Sequence, residues 1–304
     1  VTRDWGHEPV LLDEALATWV TDPEGRYLDG TVGAGGHAEA LLLRLPKARV
    51  IGLDRDPAAL ALAGARLERF GDRVRLVRSD FAEMEAVLAR DGVSVVGVLL
   101  DLGVSSLQLD DPARGFSYLE DGPLGMSLGG EVEPGAAALL AEIEEGTLTR
   151  ILRELGELPG AGRAARAVLE ARNHGALRRT GDLAQALRRA GITSPRRLSQ
   201  AFQALRLATN DELGSLARGL EAAARVLPEG GTLTAISFES LMDRMVKRAI
   251  RPPRTGRPIP GAPDPAPRWR PLTRGAVRPS AREVAANPRA RSARLRAAER
   301  TAHA

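Results

Sequence analysis

The feature that most limits how this chain can fold is a repeated exchange of short apolar runs and helix-period segments between residues 26 and 102. Runs at 27–32, 49–54, 74–78 and 95–102 read as strands, and the segments 38–45, 57–70 and 82–90 carry apolar residues at helical spacing. Strands separated by a helix cannot close as hairpins. They pair in parallel, with the crossover helices packed on the sheet faces. The expected fold class is α/β with a Rossmann-like sheet.

Past Asp110 the pattern changes to a glycine-rich loop and then a long helical region, with helix starts expected at Pro134, Thr147, Thr180 and Ser194-Pro195. No further strand is expected until 232–238, which follows a helix over 211–226 and the turn Pro228-Glu229-Gly230-Gly231. Residues 269–273 and 292–298 are candidate edge strands. The organisation expected is a sheet domain made of 1–110 and 211–304, interrupted by an all-helical substrate-recognition subdomain at 111–210.

At 304 residues and 43% hydrophobic content the chain can bury a substantial core. Its charge is unevenly placed: from Arg244 onward 16 basic residues face 3 acidic ones, so that stretch is +13 and the remainder −9. A basic stretch of this size points to a polyanionic partner, nucleic acid first, although a solvated arginine-rich surface would look the same. Ten of the 20 prolines lie between Pro252 and Pro288, so much of it is expected to be extended or loop-like. No apolar run approaches the roughly 18 residues of a bilayer span, and residues 1–14 do not read as a secretory signal. A cytoplasmic protein without a membrane partner is expected.

The first strand runs into Asp29-Gly30-Thr31-Val32-Gly33-Ala34-Gly35-Gly36-His37, a glycine loop leading to a helix, which lets a ligand approach the backbone closely. Gly33, Gly35 and Ala38 also satisfy the G-x-G-x-x-G/A dinucleotide fingerprint, and Asp54 follows Gly33 by 21 residues, so an NAD-dependent oxidoreductase is one reading. Asp54 suits a ribose diol at the second strand's end, while Asp56 suits a helix cap at Pro57. Ser79-Asp80-Phe81 after the third strand offers a ring for an adenine, or a core position for Phe81. The fourth strand delivers Asp101 out of a wholly apolar run, where a carboxylate needs partners or a function. Taken together, polar groups at four strand ends with no evident need for a pyrophosphate suit S-adenosylmethionine better than a dinucleotide. The chain has no cysteine, which excludes a thiolate route to pyrimidine carbon and a cysteine-bound radical cluster, and leaves a nitrogen or oxygen methyl acceptor.

Further motifs follow in order: His7-Glu8-Pro9-Val10, Asp54-Arg55-Asp56-Pro57, Gln108-Leu109-Asp110 after Leu100 to Ser106, Arg114-Gly115-Phe116-Ser117, Asp121-Gly122-Pro123-Leu124, Phe202-Gln203-Ala204-Leu205-Arg206, Asn210-Asp211-Glu212-Leu213, Ile236-Ser237-Phe238 and Asn287-Pro288-Arg289. On these the chain closely resembles the MraW-type family, bacterial methyltransferases of the cytosine exocyclic amine in small-subunit ribosomal RNA. The resemblance implies a class I S-adenosylmethionine-dependent methyltransferase sheet with a helical insertion. It also implies methylation of the N4 amine of a decoding-centre cytidine, cytidine 1402 of 16S rRNA in the small ribosomal subunit. Family cofactor positions map onto Gly35, Gly36, His37, Asp54, Phe81, Asp101 and Gln108, with no metal. Asp101 is the candidate to hold the amine hydrogens, with Ser105 and Ser106 as weaker candidates, and Phe116 and Tyr118 could stack on a flipped base or simply pack. Gly125, Ser127, Glu239 and Met242 depart from the family pattern. A non-enzymatic RNA-binding protein on the same scaffold is a further reading, and the sequence leaves the oligomeric state open, a dimer included.

Overall fold

The computed structural model of the chain describes residues 9–130, 135–251 and 268–302. Expectations attached to His7, to Pro134 and to the prolines of 252–267 lie outside the described residues. The chain divides into two compact units, one running up to Gly103 and resuming at Gly214, the other covering Val104–Leu213.

The first unit is built on seven strands: β1 (Arg26–Asp29), β2 (Arg49–Asp54), β3 (Val74–Arg78), β4 (Gly97–Leu102), β5 (Thr232–Ser237), β6 (Trp269–Pro271) and β7 (Arg294–Arg300). Their order in the sheet is β3-β2-β1-β4-β5-β7-β6. The first five are mutually parallel, and β7 enters antiparallel between β5 and β6. This is the class I methyltransferase arrangement expected above; both candidate strands form, but only β6 lies at the edge, while β7 is paired on both sides. The first strand is shorter than expected, because the Asp29 carboxylate turns back to accept the Thr31 N–H at 3.2 Å and the glycines that follow take positive φ.

The crossover helices are α1 (Leu12–Trp19), α2 (Gly36–Arg44), α3 (Pro57–Leu67) and α4 (Met84–Asp91). Asp56 caps α3 by accepting the Ala58 N–H at 3.0 Å, with Pro57 in the first turn. That helix stops three residues short of the expected end and tightens into a 3-10 turn broken at Gly71, whose φ is +55°. Trp19, Tyr27, Leu41, Leu42 and Leu99 are fully buried in the core, each worth about 2 kcal/mol of transfer free energy.

The second unit is helical: α5 (Ser106–Asp110), α6 (Ala136–Glu142), α7 (Glu145–Glu154), α8 (Ala161–Asn173), α9 (Thr180–Arg189) and α10 (Pro195–Thr209). Thr180 opens α9, and Ser194 caps α10 by accepting the Arg197 N–H, but α7 begins at Glu145 rather than Thr147. Its own core gathers Phe116, Met126, Leu148, Leu183, Leu187 and Phe202. The chain returns to the sheet through α11 (Glu212–Val226), and α12 (Ser240–Ile250) and α13 (Ala281–Ala286) follow β5 and β6.

Several arginines of the basic C-terminal stretch are engaged by other parts of the fold, Arg296 and Arg300 buried or nearly so and Arg268 and Arg270 at the surface. Arg294 and Arg296 pair with Asp243, Arg268 with Glu221 and Arg270 with Glu299, while Arg300 donates to the carbonyls of Ala224 and Arg268.

Candidate active site

Parallel pairing aligns Asp29 of β1 with Gly52 of β2 on one side and with Leu99 of β4 on the other. Asp54 and Asp101 each stand two residues further along their strands. Side chains alternate faces along a strand, so the register puts all three carboxylates on one face at the carboxyl edge. There they charge one another: burial, with Asp101 and Asp54 adding, pushes the Asp29 carboxyl up to about 8 despite its bond from Thr31. Burial likewise raises Asp54 above the usual carboxylate range, against bonds from backbone N–H groups.

The glycine loop is stitched to the neighbouring strand ends. Gly33 donates its N–H to Asp54 Oδ2 at 2.9 Å, and Asp56 donates to Oδ1 at 2.9 Å. Thr31 Oγ1 accepts the Asp101 N–H at 2.6 Å. Gly33 takes φ +52°, and a Cβ added to it would meet nothing nearer than the Thr31 carbonyl at 3.8 Å. Backbone there faces open space, which is what a ligand cradle requires. Gly35, at φ +83°, serves instead as the left-handed residue before α2.

Asp101, next to last in β4, has one carboxylate oxygen sealed from solvent and unpartnered, although a quarter of the side chain remains exposed. Burial pushes its carboxyl up to about 7. His37 faces it, with Nδ1 3.9 Å from Oδ2. Burial, with Arg66 adding, lowers His37 to about 4, and its Nε2 lies 3.2 Å from the Val10 carbonyl. That contact assigns the neutral ring a proton on Nε2 and turns the Nδ1 lone pair toward Asp101.

Gly35, Gly36, His37, Asp54, Phe81 and Asp101 all belong to the first unit. The ring of Phe81 lies against Gly219 of α11, where an added Cβ would come within 2.4 Å of it. Gln108 lies in the second unit, buried, and closes a capping box: its Oε1 accepts the Ser105 N–H and Ser105 Oγ accepts the Gln108 N–H. The Ser105 hydroxyl is thereby engaged as a cap. Phe116 is buried in the helical core, and Tyr118 packs edge-on against Phe202 with its hydroxyl donating to the Pro195 carbonyl, so both rings are held in packing.

Sequence reasoning passed over Asp29, although it leaves an apolar strand just as Asp101 does. It also missed Gly219, whose signal is a glycine inside a helix, where it costs stability unless close packing needs it.

The MraW methylase family profile matches residues 4–301 of the chain. The chain belongs to the MraW methylase family. This membership removes the dehydrogenase and the non-enzymatic alternatives: the chain is a methyltransferase. A protein of Methylorubrum populi named ribosomal RNA small subunit methyltransferase H is 46% identical to this MraW-family chain, over 97% of it and 87% of the relative. Namesakes from Heliobacterium modesticaldum and Symbiobacterium thermophilum are also 46% identical, covering 97% and 96% of the chain and 98% and 95% of their own lengths. A solved rRNA methylase from Streptococcus thermophilus aligns over 96% of this chain and 94% of its own at 11% identity and a TM-score of 0.43. Among the described residues no helix is long and apolar enough to cross a membrane, and no cluster of His, Asp or Glu could hold a metal ion.

Proposed function

We propose that this enzyme transfers the methyl group of S-adenosylmethionine to the exocyclic N4 amine of cytidine 1402 in 16S rRNA of the small ribosomal subunit. The observation that carries the reading is the unpartnered, sealed oxygen of Asp101 at the end of an apolar strand, beside a glycine loop with open backbone. Relatives at 46% identity that are named for small-subunit ribosomal RNA supply the substrate class. A cytoplasmic site of action goes with that substrate.

The residues present fit the cofactor. Gly35, Gly36 and His37 would border its amino-acid part, Asp54 would accept from the ribose hydroxyls, and Phe81 would flank the adenine. Gln108 joins them on the strength of the family motif alone. When bound, the sulfonium supplies an electrophilic methyl group.

A cytosine amine is a poor nucleophile, since its lone pair is delocalised into the ring. Asp101 answers this by accepting an amine hydrogen, so that electron density returns to nitrogen as the new bond forms and the proton passes to the carboxylate. His37 brings no positive charge that would lower the basicity of Asp101. The remaining contribution of the chain is orientation, because an in-line displacement depends on holding two partners at the right approach. The 111–210 segment and the basic C-terminal stretch would bind the RNA.

The test is methyl transfer from labelled S-adenosylmethionine to small subunits lacking the modification, followed by nucleoside mass analysis. Label in N4-methylcytidine at one position, lost in Asp101→Ala, is the expected result. Absence of label with cofactor binding intact would discard this substrate.

A further inference from the structure

We propose that the turn joining α9 to α10 in the helical unit, with the exposed Leu119 of the neighbouring loop, is a docking surface for single-stranded RNA. Its arginines would take phosphates and its leucine a base. This rests on the RNA-methylating reading above and goes beyond it by naming the surface.

Between Asp182 and Asp211 the chain holds five arginines and no acid. One of the five, Arg206, is buried against Glu212 at 2.7 Å. The other four, Arg188, Arg189, Arg196 and Arg197, are exposed, and no acid pairs with them among the described residues. This contrasts with the C-terminal stretch, where Arg268, Arg270, Arg294 and Arg296 each pair with an acid, the first two at the surface and Arg296 nearly buried.

Helix electrostatics accounts for half of this cluster. Arg188 and Arg189 occupy the last turn of α9, where the helix dipole favours cations. Arg196 and Arg197 occupy the first turn of α10, where it opposes them and where no acid is present to compensate. An anion bound from outside would relieve that conflict, and a polyanion would meet all four guanidinium groups. Arg189 and Arg196 are seven residues apart, so their backbones lie at most about 25 Å from each other, within the span of a few nucleotides.

The apolar element stands beside them. Tyr118 donates its hydroxyl to the carbonyl of Pro195, the residue before Arg196. Gly122 exchanges bonds with Thr180: its N–H donates to Thr180 Oγ1 at 2.9 Å and its carbonyl accepts the Thr180 N–H at 2.8 Å. The loop is thus pinned to the starts of both helices, and between those pins Leu119 is 81% exposed. An exposed leucine on a braced loop offers apolar contact to an unstacked base, and the unpaired arginines beside it offer charge to its phosphates and planes for stacking.

The experiment compares the full-length protein with the variant carrying Arg188→Gln, Arg189→Gln, Arg196→Gln and Arg197→Gln, and separately with Leu119→Ser. Affinity for unmodified small subunits is measured from 50 to 300 mM salt. The quadruple variant is expected to bind at least tenfold more weakly at low salt, with a log–log salt slope shallower by about 3 and unchanged cofactor affinity. Leu119→Ser is expected to weaken binding several-fold without changing the slope. Equal affinity and slope for wild type and quadruple variant would overturn the proposal, whatever acidic protein the surface then binds. If wild-type enzyme fails to methylate the subunits, the functional reading fails by itself. The surface is then judged by the same slope comparison on a single-stranded oligoribonucleotide, where an unchanged slope again overturns it.

Discussion

Nδ1 of His37 faces Oδ2 of Asp101 across 3.9 Å, too far for a hydrogen bond and too near for either group to ignore the other. With the His37 ring neutral, no cation among the described residues holds the carboxylate down, and burial raises its proton affinity. The distance therefore leaves Asp101 a base near neutrality rather than a permanently ionised member of an ion pair.

Replacing Asp101 by Asn removes that base with little change in shape. Turnover should fall about 100-fold, as for loss of a general base. In the wild type, single-turnover rates should rise with pH through about 7, the value to which burial raises this carboxyl. Full turnover and an unchanged pH profile in Asp101→Asn would remove the residue from the mechanism.

Gly33→Ala separates a ligand cradle from a mere turn. The added methyl meets no protein atom closer than 3.8 Å, so the cost to folding should be only the backbone strain at φ +52°, about 1–2 kcal/mol. It would stand in the space assigned to the cofactor, however. Calorimetric titration should show cofactor affinity falling at least tenfold while thermal denaturation shows a drop of a few degrees. Unchanged affinity would mean that the ligand lies elsewhere.

Two buried acids and a buried histidine give stability a definite pH dependence. Asp29, at about 8, and Asp101, at about 7, hold protons that an unfolded chain releases near 3.8. His37, at about 4, lacks one that the unfolded chain keeps up to 6.5. Between about 4 and 6.5 these three groups together hold two extra protons and lack one in the folded state, and the raised Asp54 acts in the same direction as the other acids, so stability declines as pH rises. Above 6.5 the histidine drops out and the decline steepens until the acids ionise. The cofactor-free protein should melt lower at pH 8.5 than at pH 6, and Asp29→Asn should flatten that difference.

Asp243 tests the arginine-rich stretch as architecture. It accepts from Arg296 at 2.7 and 3.0 Å and from Arg294 at 3.2 Å, tying α12 to β7. Burial acts to raise its carboxyl, but Arg296 and Arg294 together hold it below the usual range. Asp243→Ala would strand a nearly buried guanidinium and should cost about 3 kcal/mol by chemical denaturation, with cofactor affinity retained. A neutral result would show that these arginines find other partners.

Local pattern made much of this molecule legible. Short apolar runs and helical spacing located the parallel strands and their helices, and Asp56-Pro57 marked the start of α3, because these signals depend on neighbours a few residues away. Boundaries were less legible where a side chain intervened. Asp29 cut β1 short by capturing the Thr31 N–H, a choice that periodicity does not report. Gln108 matched the family motif, yet motif matching could not reveal that its carboxamide closes a helix cap.

The sequence by itself determined the βα alternation, the glycine loop, and the placing of Asp54 and Asp101 at strand ends, since each is a matter of residue type and short-range spacing. Tertiary structure decided which of these groups meet. His37 and Asp101 are 64 residues apart in the chain, and they face each other only because β4 pairs beside β1 while β2 takes the other side. The same strand order set Asp29 between Asp54 and Asp101 and so raised its proton affinity. Burial and the mutual repulsion of charges are properties of the packed sheet edge, and they arise only when strands distant in sequence are brought within a few ångströms.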